Sequence, residues 1–154
     1  MEFWKRGITM TALKHRIGTA KDHELILKTW EKSVRATHFF LASSDIEYFK
    51  SIIPKALNNV ELIIWDDEEH IVGFSGVSAE ELDMLFLDPK YFHKGYGSQI
   101  LTWLIENKGI TKIDVNTQNE AAFAFYLKHG FVVDSQDEVD GFGKPYPISH
   151  LVKE

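Results

Sequence analysis

The chain has 154 residues, of which 44% are hydrophobic and 26% charged, and it carries a formal net charge of −6. These values describe one globular domain with a sizeable core and argue against disorder. The acidic balance speaks against a nucleic-acid partner, which needs a basic surface. The absence of cysteine removes disulfides, thiolate metal sites and a thiol nucleophile. No apolar run reaches membrane-spanning length. The opening MEFWKRGITMTALK has no continuous apolar stretch followed by small residues. No membrane partner and a cytoplasmic location are therefore expected. Residues 1–11 read as an N-terminal extension of a single domain spanning 1–154, with Met10 as an alternative start.

Taken in order, KHRIGT (14–19) is a short strand candidate. From Ala20 to about Arg35, Leu25, Ile26, Thr29, Trp30 and Val34 recur at helical spacing, with Thr19 or Asp22 as the cap. Ser44-Asp45-Ile46-Glu47 has capping-box spacing and predicts a second helix from Ser44, kinked or ended near Pro54. VELIIW (60–65), HIVGFSGV (70–77) and residues 80–87 read as three consecutive strands, an antiparallel meander. In the last of them Leu82, Met84 and Phe86 stand at period two.

Asp88-Pro89 then breaks the strand, and Gly95-Tyr96-Gly97 precedes a helix from Ser98 to about Lys108. A strand running through a glycine turn into a helix suits a phosphate: the backbone can approach closely, and the first free N–H groups point at the anion. The glycine pair alone is a weak signal. KIDV (112–115) is a strand, residues 120–129 a helix closed by Gly130, and Phe131–Val133 the start of a strand. DGFGKPYP (140–147) is a turn-rich loop before a last strand at 149–152. The order β-α-α-β-β-β-α-β-α-β-β predicts an α/β (α+β) fold, a mixed central sheet of about six to seven strands with helices on both faces.

Asn119, Ala122 and Tyr126, spaced three and four apart, share one helix face. Asn119 stands at an N-cap position, Ala122 leaves room for a ligand chain, and Tyr126 points at whatever lies beside the strand before the glycine turn. The histidines show no metal-ligand spacing, so no metal is expected. No Gly-x-Ser-x-Gly elbow is present, and the glycine turn lacks the Gly-Lys-Ser/Thr ending of a nucleotide P-loop. An ordinary nucleotide-binding α/β domain is disfavoured by the meander ahead of the turn.

From about residue 12 onward the chain resembles the GNAT family of N-acetyltransferases. Phe92-His93-Lys94-Gly95-Tyr96-Gly97 is similar to that family's pyrophosphate loop, Gln/Arg-x-x-Gly-x-Gly/Ala, with Phe92 departing at the first position. Asn119-Glu120-Ala121-Ala122 through Tyr126 to Gly130-Phe131 is similar to its second signature. Ser33–His38 and Gly143–Pro147 resemble a small bacterial subgroup. The resemblance implies acetyl-coenzyme A as cosubstrate, held by Leu85, Phe86 and Leu87, by the loop residues His93, Lys94, Gly95, Tyr96, Gly97 and Ser98, and by Asn116, Asn119 and Ala122. It implies Tyr126 as the acid for the leaving thiolate. For the base it offers Glu81, with Asp83 next. Arg35, Thr37, His38 and Asp83 are expected at the acceptor site. His38 is a candidate for taking a proton or binding substrate, or equally a helix-end histidine favoured by the dipole. Trp65, Phe142 and Tyr146 are further candidates to line that site, with Gly141–Pro147 as a lid or merely an edge loop.

The implied activity is acetyl transfer to a primary amine of a small molecule or peptide by direct attack in a ternary complex. The alternative is a catalytically weak acyl-coenzyme A-binding module acting as a sensor or interaction protein. Either a monomer or a homodimer is compatible with the sequence.

Overall fold

The computed structural model describes residues 13–154; the expected N-terminal extension and the alternative start at Met10 lie outside the described residues. The chain runs β1 (Lys14–Ile17), α1 (His23–Thr37), α2 (Ser43–Ala56), β2 (Glu61–Asp66), β3 (Ile71–Ser78), β4 (Glu81–Leu87), α3 (Tyr96–Lys108), β5 (Lys112–Asn116), α4 (Glu120–Lys128), β6 (Phe131–Asp137) and β7 (Ile148–Lys153). The seven strands form one sheet in the order β1-β2-β3-β4-β5-β7-β6. All neighbouring strands are antiparallel except β4 and β5, so the sheet is mixed as expected.

Two cores sandwich this sheet. On one face Ile26, Trp30 and Val34 of α1 and Ile46 and Ile53 of α2 pack on Leu62, Ile64 and Phe74. On the other, Ile100, Leu101 and Leu104 of α3 and Tyr126 of α4 pack on Ile63, Trp65, Leu82, Ile113 and Leu151. Alternate residues of β2 thus serve opposite cores, as a period of two requires.

β4 departs from that period. Its register to β3 shifts between Gly76 and Val77, so that Gly76 faces Met84, Val77 faces Leu82, and Asp83 is the extra residue of a bulge. Leu82, Leu85 and Leu87 therefore join the α3/α4 core, whereas Met84 and Phe86 join the α1/α2 core. The single apolar face expected from Leu82, Met84 and Phe86 is split in two, because an inserted residue reverses the alternation beyond it.

The helix boundaries also differ from expectation. α2 begins at Ser43 with Ala42 as N-cap and no side-chain cap; the Ala42 N–H instead donates to the Tyr146 hydroxyl at 3.2 Å. The helix passes through Pro54 to Ala56. Asp22 caps α1 without a side-chain bond to the helix. Its carboxylate accepts from both Arg16 terminal nitrogens at 2.8 and 2.9 Å and from the Thr19 N–H, and the Arg16 guanidinium holds its pKa down to about 2. Gly130, at φ +90°, follows α4 as expected of a left-handed helix exit.

Candidate active site

The site grows out of the one parallel pair. β4 and β5 are in register only at Glu81↔Lys112 and Leu82↔Ile113. Past that point the bulge carries β4 away, while β5 stays paired to β7 as far as Asn116↔Ile148. The edge of β4 facing the gap, through Leu85, Phe86 and Leu87, keeps backbone groups that no β5 residue takes up. A cleft of about 90 Å³ lies there, walled by Leu85, Phe86, Val115, Asn116, Asn119, Ala122 and Tyr126 among others.

At the open end of β4 the chain turns through Pro89–Tyr91 into α3. Asp88 caps that turn through its side chain, and the Phe92 N–H is spent on the Pro89 carbonyl at 3.0 Å. His93 has φ +60° and Gly95 φ +84°. Left-handed backbone at Gly95 carries no Cβ penalty, and it turns the chain abruptly into α3. α3 begins at Tyr96, two residues earlier than expected, with no side-chain cap and no acidic residue in its first turn. The N–H groups of Tyr96, Gly97 and Ser98 belong to the four at a helix start that lack intrahelical partners. Lys94 stands alongside, its ammonium 5.8 Å from the Tyr91 ring. Uncapped N–H groups, the positive end of a helix and a lysine suit a pyrophosphate, and the cleft beside Ala122 suits a slender chain. These residues thus fit coenzyme A.

Asn119 caps α4, its side-chain oxygen accepting from the Ala122 N–H at 3.3 Å. One turn on, Tyr126 is 8% exposed and packs edge-on against Phe125 and Phe131. Burial pushes its phenol pKa upward, so it stays protonated at neutral pH.

A larger groove of about 800 Å³ opens on the α1/α2 side. Trp30, Val34, Leu41, Phe49, Ile52 and Ile53 form an apolar wall. Asp83, Asp114, Asp137, Glu138 and Asp140 are the charged lining, with no lysine or arginine among the described residues there. Phe142 and Tyr146 stand at its edge. The Tyr146 hydroxyl donates to the Asp45 carboxylate, and the Lys144 ammonium lies 2.9 Å from the same side chain. The loop expected as a lid is thus pinned to the first turn of α2.

His38, Asp83, Met84, Phe86, Asp114 and Asn116 line both cavities, so the cleft and the groove meet where β4 bulges. Asp83 accepts a hydrogen bond from Ser78 Oγ. Partial burial of its carboxyl nevertheless pushes its pKa up, with the Asp114 charge adding to the shift. His38 is 8% exposed, and burial lowers its pKa to about 4, so its imidazole is neutral.

Other expected residues lie elsewhere. Glu81 lines neither cavity and sits where β4 and β5 are still paired. Burial first, then the Asp114 and Asp83 charges, raises its carboxyl pKa. Arg35 turns to Glu31 at 2.9 Å and Glu47 at 3.4 Å on the outside of α1 and α2. Trp65 is a correction: it is 2% exposed in the α3/α4 core, its indole N–H donating to Ser75 Oγ at 2.9 Å, away from the groove. The competing pull was burial, since a large ring on a central strand alternates with its neighbours into one core or the other.

Sequence reasoning missed Asp114, Asp137 and His150. His150 Nδ1 is 2.6 Å from Asp114 and Nε2 2.7 Å from Asp137, and both bonds raise its pKa, Asp137 first. The signal was partly present: Asp114 alternates with Ile113 and Val115, and His150 with Ser149 and Leu151. What the chain order hides is that β7 lies between β5 and β6, setting Asp114 opposite His150.

Comparison with known proteins agrees with this geometry. A family model for the acetyltransferase (GNAT) domain matches residues 58–133. The peptidyl-lysine N-acetyltransferase YjaB of Salmonella typhimurium is 32% identical over 133 residues, 86% of this chain and 92% of that protein. This chain belongs to the GNAT family. YjaB of Escherichia coli is 33% identical over 85% of the chain and 90% of that protein. The solution structure of its apo form superposes with a TM-score of 0.83 at 31% identity, over 92% of this chain and 97% of that one. PaiA N-acetyltransferase from Thermoplasma acidophilum, solved in complex with coenzyme A, shares the fold at a TM-score of 0.70 and 24% identity, over 93% of this chain and 99% of that one. The GNAT protein is thus an acyl-coenzyme A-dependent N-acetyltransferase by family. No described helix is long and apolar enough to cross a membrane.

Proposed function

We propose that this GNAT domain transfers acetyl from acetyl-coenzyme A to the primary amine of an alkylamine, on a small molecule or a lysine-bearing peptide, by direct attack in a ternary complex. The observation that supports this reading is the shared wall: the cleft between β4 and β5 and the acidic groove are both lined by His38, Asp83, Met84, Phe86, Asp114 and Asn116. When bound, acetyl-coenzyme A would supply an activated thioester carbonyl. The N-terminus of α3 and Lys94 would hold its pyrophosphate, and the free edge of β4 with Asn116, Asn119 and Ala122 would hold its arm.

The groove suits the acceptor on two counts. Its apolar wall suits methylene groups, and its carboxylates suit one or more ammonium groups. Three relatives bear names consistent with such acceptors, the two peptidyl-lysine N-acetyltransferases YjaB above and a spermidine N(1)-acetyltransferase of Thermoplasma acidophilum, 38% identical over 65 residues, 39% of this chain and 40% of that protein. Asp83, at the junction, is placed to take the ammonium proton. Glu81 and Asp114 stand behind it as neighbouring negative charge. Tyr126 keeps its proton at neutral pH and is placed to give it to the departing sulfur.

The test is thiol release from acetyl-coenzyme A across a panel of polyamines, lysine derivatives, lysine-containing peptides and aromatic amines. Turnover should be confined to flexible alkylamines. Coenzyme A binding without turnover on any amine would replace this reading with that of an acyl-coenzyme A-binding module.

A further inference from the structure

His38 occupies the junction of the two cavities, and its bonding has a consequence for the acceptor. Its Nδ1 lies 2.7 Å from Thr37 Oγ1. The same hydroxyl donates to the Ser33 carbonyl at 2.8 Å. A threonine hydroxyl has one proton, and a carbonyl oxygen can only accept, so that proton belongs between Thr37 and Ser33. With the hydroxyl proton spent, the Thr37 oxygen can meet Nδ1 only as an acceptor. The imidazole is therefore held as the Nδ1–H tautomer, leaving a bare lone pair on Nε2. No described residue bonds Nε2.

The ring itself is fixed in place. It lies 5.2 Å from the Phe40 ring and 6.5 Å from that of Phe86, and 92% of the residue is buried against an exposure of 8%. The titratable groups sharing the junction are Asp83 on β4 and Asp114 on β5, with His150 and Asp137 behind Asp114 and Tyr146 on the far loop. Their bonds run to Ser78, to one another and to Asp45. Nε2 is not among the fully enclosed polar atoms, so water or a ligand reaches it, and in a cavity lined by carboxylates this free acceptor suits a ligand that donates N–H.

We propose that His38 is a catalytic residue of this site: its fixed Nε2 lone pair accepts a hydrogen bond from the acceptor amine and thereby orients the nitrogen lone pair for attack, with Thr37 as the positioning residue that locks the tautomer. The proposal rests on the acetyltransferase reading above. The imidazole serves as a hydrogen-bond acceptor and not as the proton sink, because burial disfavours its charged form. One ammonium proton passes to Asp83 and on to solvent. The amine nitrogen forms its bond to the acetyl carbon, the carbon–sulfur bond breaks, and the sulfur takes the Tyr126 proton. The second proton lost by the nitrogen restores Tyr126, so each turnover releases one proton. His38 keeps a single proton throughout and holds the remaining N–H.

Two readouts test this. In the ligand-free protein, long-range proton–nitrogen NMR of the imidazole should show Nδ1 protonated and Nε2 bare from pH 8 down to about pH 5, with the Thr37→Val variant relaxing to a tautomer mixture. An Nε2–H tautomer overturns the proposal before any substrate is added. In steady-state assays on the best amine of the panel, His38→Phe keeps the ring volume and loses the acceptor atom. Its amine kcat/KM should fall roughly tenfold or more, with coenzyme A affinity unchanged. His38→Gln, whose side-chain oxygen reaches the Nε2 position, should recover part of that loss. Wild-type amine kinetics in a folded His38→Phe protein overturn the proposal alone. Absence of turnover on every amine overturns the acetyltransferase reading and this proposal with it.

Discussion

The two halves of the site are built from different materials. The coenzyme A half is mostly backbone: the uncapped start of α3, the left-handed Gly95, and the β4 edge freed by the splay. The proposed acceptor half is side chains drawn from α1, α2, β4, β5, β6, β7 and the loop between β6 and β7. Backbone donors tolerate sequence drift, since almost any residue supplies an N–H; Phe92 departs from the family's loop pattern, and its own N–H is already spent on Pro89. A side-chain pocket changes its chemistry with every substitution. One fold can therefore keep its cosubstrate while its acceptors diverge.

The sharpest way to break the backbone half is Gly95→Glu. It forces a residue with a Cβ into φ +84° and sets a carboxylate at the anion position. Coenzyme A affinity should fall on the order of a thousandfold by calorimetry, and unchanged binding would remove the loop from the site. Next in size is Tyr126→Phe, in the wall of the cleft. It should lower kcat about a hundredfold while coenzyme A binding holds, since it deletes only the hydroxyl that carries the proton. Full activity in that variant would mean that the sulfur leaves without Tyr126.

On the acceptor side, Asp83→Asn should cost roughly tenfold or more in amine kcat/KM, and Glu81→Gln clearly less. Of these two, Asp83 lines both cavities and Glu81 lines neither. The reverse ranking would return the base to Glu81 and imply a proton path past the paired start of β4. The smallest expected effect is at the pinned loop. Asp45→Ala removes the partner of Tyr146 and Lys144 and should raise the amine KM about three- to fivefold at constant coenzyme A affinity. A change in coenzyme A binding instead would mean that the loop serves both halves.

Much of this architecture was legible along the chain because its signals are local. The meander, the glycine turn into α3, the Asn119 cap and the Gly130 exit each depend on a few adjacent residues whose backbone preferences are strong. They place the elements of the proposed coenzyme A half, from Leu85 through Ser98 to Ala122. The site residues nearest these signals, Tyr126 and Asp83, were also within reach, because strand and helix periods set them beside the turn.

The rest was decided only by tertiary structure. The bulge at Asp83 arises from how β4 registers on β3, a non-local pairing, and it reverses the faces of Met84 and Phe86. Insertion of β7 between β5 and β6 sets His150 between Asp114 and Asp137 across 36 and 13 residues of chain. Burial keeps the His38 imidazole neutral, where the sequence left it open between a proton-taking or substrate-binding residue and a helix-end histidine. Local preference chose the elements and the phosphate turn. Long-range register and burial chose which side chains meet at the acceptor and in what protonation state, because both depend on neighbours that only folding brings together.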